Sequence, residues 1–92
     1  MDNPVIDKYG AKEWLDAEGK YHRDGGPAVE YANGDKEWWQ HGKRHRDDGP
    51  AIMYASGHKE WFQHGKYLSF DEWLNDVKMS DEDKVMMKLQ YG

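Results

Sequence analysis

Two triplets carry the side chains most capable of chemistry, His22-Arg23-Asp24 and His45-Arg46-Asp47. An imidazole beside a carboxylate is the usual pairing for general acid–base catalysis, in which the ring takes or gives a proton at the reacting group. Their recurrence argues for another role. A catalytic group is needed once, whereas a group that joins one structural unit to the next is needed in every unit. The expected role is therefore structural: His bonds to the next loop, and Arg pairs with Asp or stacks on an aromatic ring. A small hydrolase or nucleotide-binding protein using the triplets is the alternative. It predicts that His45→Ala abolishes turnover without loss of folding.

Metal binding is tested by spacing. A unit of two strands advances a sheet by roughly 9–10 Å, twice the interstrand distance. Ligands on one zinc lie only about 3–4 Å apart. His22 with His45, or His41 with His64, would then be too far apart to share an ion, and a His41–His45 cluster lacks a third ligand evident in the sequence. No metal and no cofactor is expected. Asp24-Gly25-Gly26-Pro27 and Asp47-Asp48-Gly49-Pro50 read as turns rather than cation sites. Asp bonds its own backbone there, Gly takes positive φ and Pro presets the next φ. Asp81-Glu82-Asp83 reads as the start of a helix.

The elements that must position these groups follow from the repeat. Gly19–His41 returns as Gly42–His64 at a spacing of 23 residues, without a gap. Gly65-Lys66-Tyr67 opens a third copy and then leaves it. Gly10-Ala11-Lys12-Glu13-Trp14-Leu15 matches Gly34 to Trp39, so residues 4–18 form a degenerate first unit. Periods of roughly 20–50 residues mark architectures in which each unit buries its apolar face on its neighbours.

Each unit holds two strands. The first is Ala28–Tyr31, repeated at Ala51–Tyr54. Asn33-Gly34 and Ser56-Gly57 then turn the chain, and Asn-Gly favours positive φ. The second is Lys36–Gln40, repeated at Lys59–Gln63, with Lys12–Leu15 in the first unit. His41-Gly42 and His64-Gly65 turn the chain again, and Lys43–Arg46 continues as a short strand. Period-2 alternation puts Trp14, Trp38 and Trp61 on one face and Leu15, Trp39 and Phe62 on the other. Met1-Asp2-Asn3 is expected to fray.

The tail supplies a cover. Ser69 and Glu72 form a capping box before Phe70, Trp73, Leu74 and Val77 at helical spacing. Ser80 and three carboxylates open a second helix, whose apolar stripe is Val85, Met86 and Leu89. Helices over about 70–78 and 81–90 are expected to fold back over one sheet face. The fold class is thus mainly β with α: an antiparallel β-meander of hairpin repeats capped by two short C-terminal helices. Residues 1–92 form a single domain, with units 4–18, 19–41 and 42–64 and a cap at 65–92.

The net charge of −5 is uneven. Residues 1–18 carry 2 basic and 5 acidic groups and residues 65–92 carry 4 and 6, while the two full units are nearly neutral. That disfavours a phosphate-tracking or anionic-membrane surface, which needs an excess of Lys and Arg. The chain has no Cys and no apolar run near the ~20 residues of a membrane span, so a cytoplasmic location is expected. Five Trp and six Tyr in 92 residues supply most of the core or interface energy of so small a domain.

The aromatic–x–x–Gly–x–x–His-Arg spacing resembles the MORN (membrane occupation and recognition nexus) repeat. The units ending His-Arg-x-x-Gly-Pro-Ala are most similar to its variant form. Two full copies and a partial one cover about two-thirds of the chain. The chain departs from the standard unit at Arg23 and Arg46, where a small Gly usually follows the His, and at Pro27 and Pro50. Variant repeats with a short helical tail also resemble small phage and prophage proteins. The resemblance implies a hairpin-repeat fold and, for a phage protein, action in the host cytoplasm. The expected function is a non-enzymatic protein-binding module, an inhibitor of a host defence or regulatory protein if phage-encoded. Trp38, Trp39, Trp61, Phe62, Arg44 and Arg46 are the expected contacts, because Trp and Arg dominate interface energetics. Homodimerisation through the sheet edge is the second reading, and nucleic acid is disfavoured as a partner.

Overall fold

A computed structural model describes residues 3–92, so the fraying expected at Met1 and Asp2 lies outside the described residues. Nine strands precede two helices: β1 (Val5–Ile6), β2 (Lys12–Glu13), β3 (Val29–Glu30), β4 (Lys36–Glu37), β5 (Trp39–Gln40), β6 (Lys43–Arg44), β7 (Ile52–Met53), β8 (Lys59–Gln63), β9 (Lys66–Leu68), α1 (Phe70–Asp76) and α2 (Asp81–Tyr91). The main sheet runs β1-β2-β3-β4-β7-β8-β9, and β5 pairs with β6 apart from it. Every pairing is antiparallel. The hairpin meander with two C-terminal helices is the architecture expected from the repeat.

The second strand of the middle unit is not the unbroken Lys36–Gln40 expected. It divides at Trp38, whose backbone serves two neighbours. Its N–H donates to the Ala51 carbonyl at 2.7 Å, and its own carbonyl accepts from the His45 N–H at 3.1 Å. Lys36–Glu37 therefore stays in the main sheet, while Trp39–Gln40 swings out to pair with Lys43–Arg44. Trp14 makes the same two bonds, to Ala28 at 2.8 Å and from His22 at 3.0 Å, so Lys12–Leu15 shortens to β2 and a lone Leu15–Tyr21 bridge. The first strands likewise shorten to Val29–Glu30 and Ile52–Met53. Lys59–Gln63 alone is continuous.

The two kinds of turn also differ from the simplest reading. At Asn33-Gly34 only Gly34 takes positive φ, +100°. The Gly34 N–H donates to Tyr31 and the Tyr31 N–H to the Asp35 carbonyl, which closes a three-residue loop. The tight two-residue turn falls at His41-Gly42 and His64-Gly65, where both residues have positive φ. That is the mirror-image turn whose twist suits a hairpin.

The register sets Lys12, Glu30, Lys36, Met53 and Lys59 in one cross-strand row, and Glu13, Val29, Glu37, Ile52 and Glu60 in the adjacent one. Neighbouring residues of a strand point to opposite faces. The sheet therefore has a lysine face and a glutamate face.

The helices fold back over the sheet face that carries Trp61 and its cross-strand partner Leu68, as expected, and so seal the sheet's end. Trp61, Leu68, Trp73, Leu74 and Val77 form one buried cluster, with Phe70, Met79, Met87 and Tyr91 packed against it. Ala51, Ile52 and Phe62 form a second, flanked by Trp38 and Tyr54. Ser69 caps α1 through the expected capping box with Glu72, and Ser80 caps α2 by accepting from the Asp83 N–H. The rotation of α2 is opposite to the expectation. Val85, Met86 and Leu89 are exposed, and Met87 and Tyr91 point inward. The Tyr91 ring meets Trp61 edge-on at 5.1 Å, which turns the Val85–Leu89 stripe away from the body.

Candidate functional site

The two His-Arg-Asp triplets make equivalent bonds. His22 Nδ1 accepts the His41 N–H at 3.1 Å, and His45 Nδ1 accepts the His64 N–H at 3.0 Å. Each imidazole thereby steadies the tight turn that follows in the chain. With Nδ1 accepting, the ring proton of the neutral form sits on Nε2. That nitrogen faces Asp24 at 3.4 Å in one unit and Asp47 at 2.9 Å in the other. The His22 and His41 rings stack with centroids 4.0 Å apart, and the His45 and His64 rings lie tilted at 4.6 Å. The structure thus couples His22 to His41 and His45 to His64, and the His41–His45 grouping does not form. Among the described residues no group of three His, Asp or Glu side chains converges as metal ligands would.

Asp16 extends the first pair. Its carboxylate lies 2.8 Å from His41 Nδ1 and accepts the Lys20 and Glu18 backbone N–H groups at 2.9 Å each. Led by the His41 bond, these contacts hold the carboxyl at about 2, against an ordinary 3.8.

The arginines are held between an indole and a glycine. The Arg23 guanidinium lies 3.8 Å from the Trp14 ring centroid, and Arg46 lies 3.8 Å from that of Trp38. Each donates to the carbonyl of the following proline, Pro27 at 3.1 Å and Pro50 at 3.0 Å. A Cβ placed on Gly26 or Gly49 would come within 3.0 or 2.8 Å of the guanidinium carbon. A side chain there would have to displace the guanidinium, and the Ala28 and Ala51 that follow are wholly buried. The motif His-Arg-x-x-Gly-Pro-Ala is therefore a unit-to-unit joint. Arg46 also bonds Asp48 at 2.8 Å. Gly25 stands at the matching place in the first unit, and Arg23 turns to Glu30 at 3.6 Å instead.

The third unit replaces the joint. Leu68 stands where His22 and His45 stand, and Ser69 where the arginines stand. The tail then covers Trp61 in their stead, with Trp73, Phe70 and Tyr91 at 4.5, 4.9 and 5.1 Å. Trp73 Nε1 donates to the Arg46 carbonyl at 2.8 Å.

Two surfaces remain. On the lysine face a groove of about 700 Å³ lies between the Asp24–Pro27 loop and Asp47-Asp48, bordered by Trp38, Gln40, Lys43 and His64. On the glutamate face runs a ladder of rings and one cation. Tyr21 meets Trp39 at 5.2 Å, Arg44 lies 4.9 Å from Trp39 and 5.4 Å from Phe62, and Phe62 meets Tyr67 at 5.5 Å. Glu37 gathers donors beneath it, from Trp39 Nε1 at 2.9 Å and the Tyr31 hydroxyl at 3.3 Å. Arg44 Nε is 3.6 Å from Glu37, buried, and among the described residues has no hydrogen-bond partner. Burial, and then the Glu37 charge, push the Tyr31 hydroxyl up to about 12.

Of the expected contact residues, Trp38, Trp39, Arg44 and Arg46 are half-buried. Trp38 and Arg46 border the groove, and Trp39 and Arg44 belong to the opposite ladder. Trp61 and Phe62, 8 and 7% exposed, are core. Sequence reasoning missed Gln40 and Gln63, whose Nε2 groups donate to the Arg23 and Arg46 carbonyls at 2.9 and 2.8 Å. Their recurrence at one phase was the available signal. The chain has no significant match among protein-family models, curated proteins or solved structures.

Proposed function

We propose that this chain is a non-enzymatic protein-binding module whose contact surface centres on Trp39 and Arg44. One observation carries the reading. Arg44 stands where the other units have Tyr21 and Tyr67, and among the described residues its buried Nε makes no hydrogen bond, only the ion pair with Glu37 at 3.6 Å. A residue the fold requires recurs in every unit; one that breaks the pattern is free to serve recognition. A half-buried arginine among aromatic rings has the make-up of an interface hot spot. The recurring His side chains are consumed in the turns of their own units and the recurring Arg side chains in joints between units, which supports a role without turnover. The resemblance to small phage proteins extends the proposal to occlusion of a host defence or regulatory enzyme in the host cytoplasm.

The test substitutes Arg44→Tyr, which restores the repeat residue and keeps the ladder aromatic. A partner captured by the unaltered chain should bind this variant at least ~30-fold more weakly, the loss expected at a hot spot of about 2 kcal/mol. Its unfolding midpoint should not fall. Equal capture by both forms, or no specific capture by either, counts against the proposal.

A second reading, self-association, is favoured by the open edge strand β1, where Val5 and Ile6 are 53 and 61% exposed. Unpaired edges template pairing with another chain. Light scattering that gives a monomer mass at every concentration removes it.

A further inference from the structure

The two full units present the same acceptor at matching places: over Trp61 the place is taken by the Trp73 indole, and over Trp38 by the Arg46 guanidinium, beside which a groove stays open. Gln40 bonds the Arg23 carbonyl as Gln63 bonds the Arg46 carbonyl. Over Gln63 the Arg46 carbonyl takes a second donor, the Trp73 indole at 2.8 Å. Trp73 is wholly buried there and Gln63 is 5% exposed. Over Gln40 stands the groove of about 700 Å³, and among the described residues the Arg23 carbonyl accepts from one side chain only. A carbonyl oxygen has two lone pairs.

We propose that this groove receives a tryptophan side chain from an acidic helical segment of a partner protein, its indole N–H donating to the Arg23 carbonyl as that of Trp73 donates to Arg46. The proposal rests on the protein-binding reading and names the chemistry of the partner. The occupant differs from a second copy of this chain. All five tryptophans are buried or half-buried, and Trp73, the one carried on a helix, has no exposed surface.

The acidic character follows from the filled groove. Glu72 precedes Trp73, and its carboxyl is held below the ordinary value first by its bonds to Ser69 and last by the charge of Lys66. Lys43 holds the phase of Lys66 and borders the open groove. Among the described residues it has no ion pair, whereas the carboxylates of the rim are engaged, Asp24 with His22, Asp47 with His45 and Asp48 with Arg46. One difference shapes the fit. Arg46 already covers Trp38 where Trp73 covers Trp61, so an incoming indole packs against the edge of a guanidinium.

The probe is a capped peptide of residues 69–77 of this chain, with a Trp73→Ala version as control, titrated into the isotope-labelled full chain. Expected are shifts at the Gln40 side-chain amide and the Asp24 and Gly25 backbone amides. A peptide this short is marginally helical, so a Kd on the order of 1 mM is expected. The control should bind at least ~10-fold more weakly, and Lys43→Glu should weaken the parent peptide several-fold. Absence of shifts at Gln40, equal binding of the control, or shifts confined to Gln63 and the Trp73 side chain, which mean exchange with α1, each overturn the proposal. A partner that needs Arg44, with no peptide response in the groove, removes this inference and leaves the Arg44 surface standing. A response in the groove without any Arg44-dependent partner does the reverse.

Discussion

A histidine that accepts a backbone N–H is worth the same wherever the repeat places it. His22→Ala and His45→Ala should each lower stability by about 1 kcal/mol, the usual net value of such a bond, and by similar amounts in urea unfolding. A loss of function from one substitution with no matching loss of stability would revive the catalytic alternative. Asp16 sets the acid limb. Its pKa lies below the unfolded value, so its contribution is complete above about pH 4 and is lost as pH falls toward about 2. Across that window the unfolding midpoint of the unaltered chain should drop more steeply than that of Asp16→Asn. The structural reading of the triplets was legible because they recur. The identity of the imidazole's partner was not: His22 and His41 lie nineteen residues apart, and only the fold-back of the tight turn joins them.

At the scale of elements, what sequence reveals depends on how local the cause is. The capping box at Ser69 and Glu72 is complete within one helical turn, and it is where the pattern places it. The break at Trp38 arises from Ala51 and His45, strands that reach it only in the folded sheet, so no local pattern marks it. The rotation of α2 is likewise decided at a distance, by Tyr91 against Trp61. Two outcomes follow. Trp73→Phe keeps one aromatic ring but deletes the donor to the Arg46 carbonyl and part of the buried indole, and thermal unfolding should report a loss of at least about 1–2 kcal/mol. No residue of α2 is buried, whereas α1 buries Trp73 and Leu74. Helices of this length are marginal without tertiary contacts. Amide exchange should therefore open α2 well before α1.

The whole molecule is an elongated array, 41 × 29 × 21 Å along its principal axes, in which the arginine–indole contacts and the Trp73–Arg46 bond link each unit to its neighbour. Stability in such arrays is close to a sum of unit and nearest-neighbour terms. An additional copy of residues 42–64 placed before Gly65 should thus fold, lengthen the particle by roughly 10 Å in X-ray scattering, and not lower the unfolding midpoint. The expected contact surface was partly legible at this scale. The aromatic rows were placed on their proper faces by alternation alone. Which members stay accessible was not, because Trp61 is hidden by a tail whose docking site no periodicity specifies.

Trp73 does for the last indole of the row what a guanidinium does for the two before it. The terminus of the array is consequently a chemical substitution rather than a separate design. Copy number can then drift by duplication or loss while the closing segment stays unchanged, so related chains of quite different length could share one and the same ending.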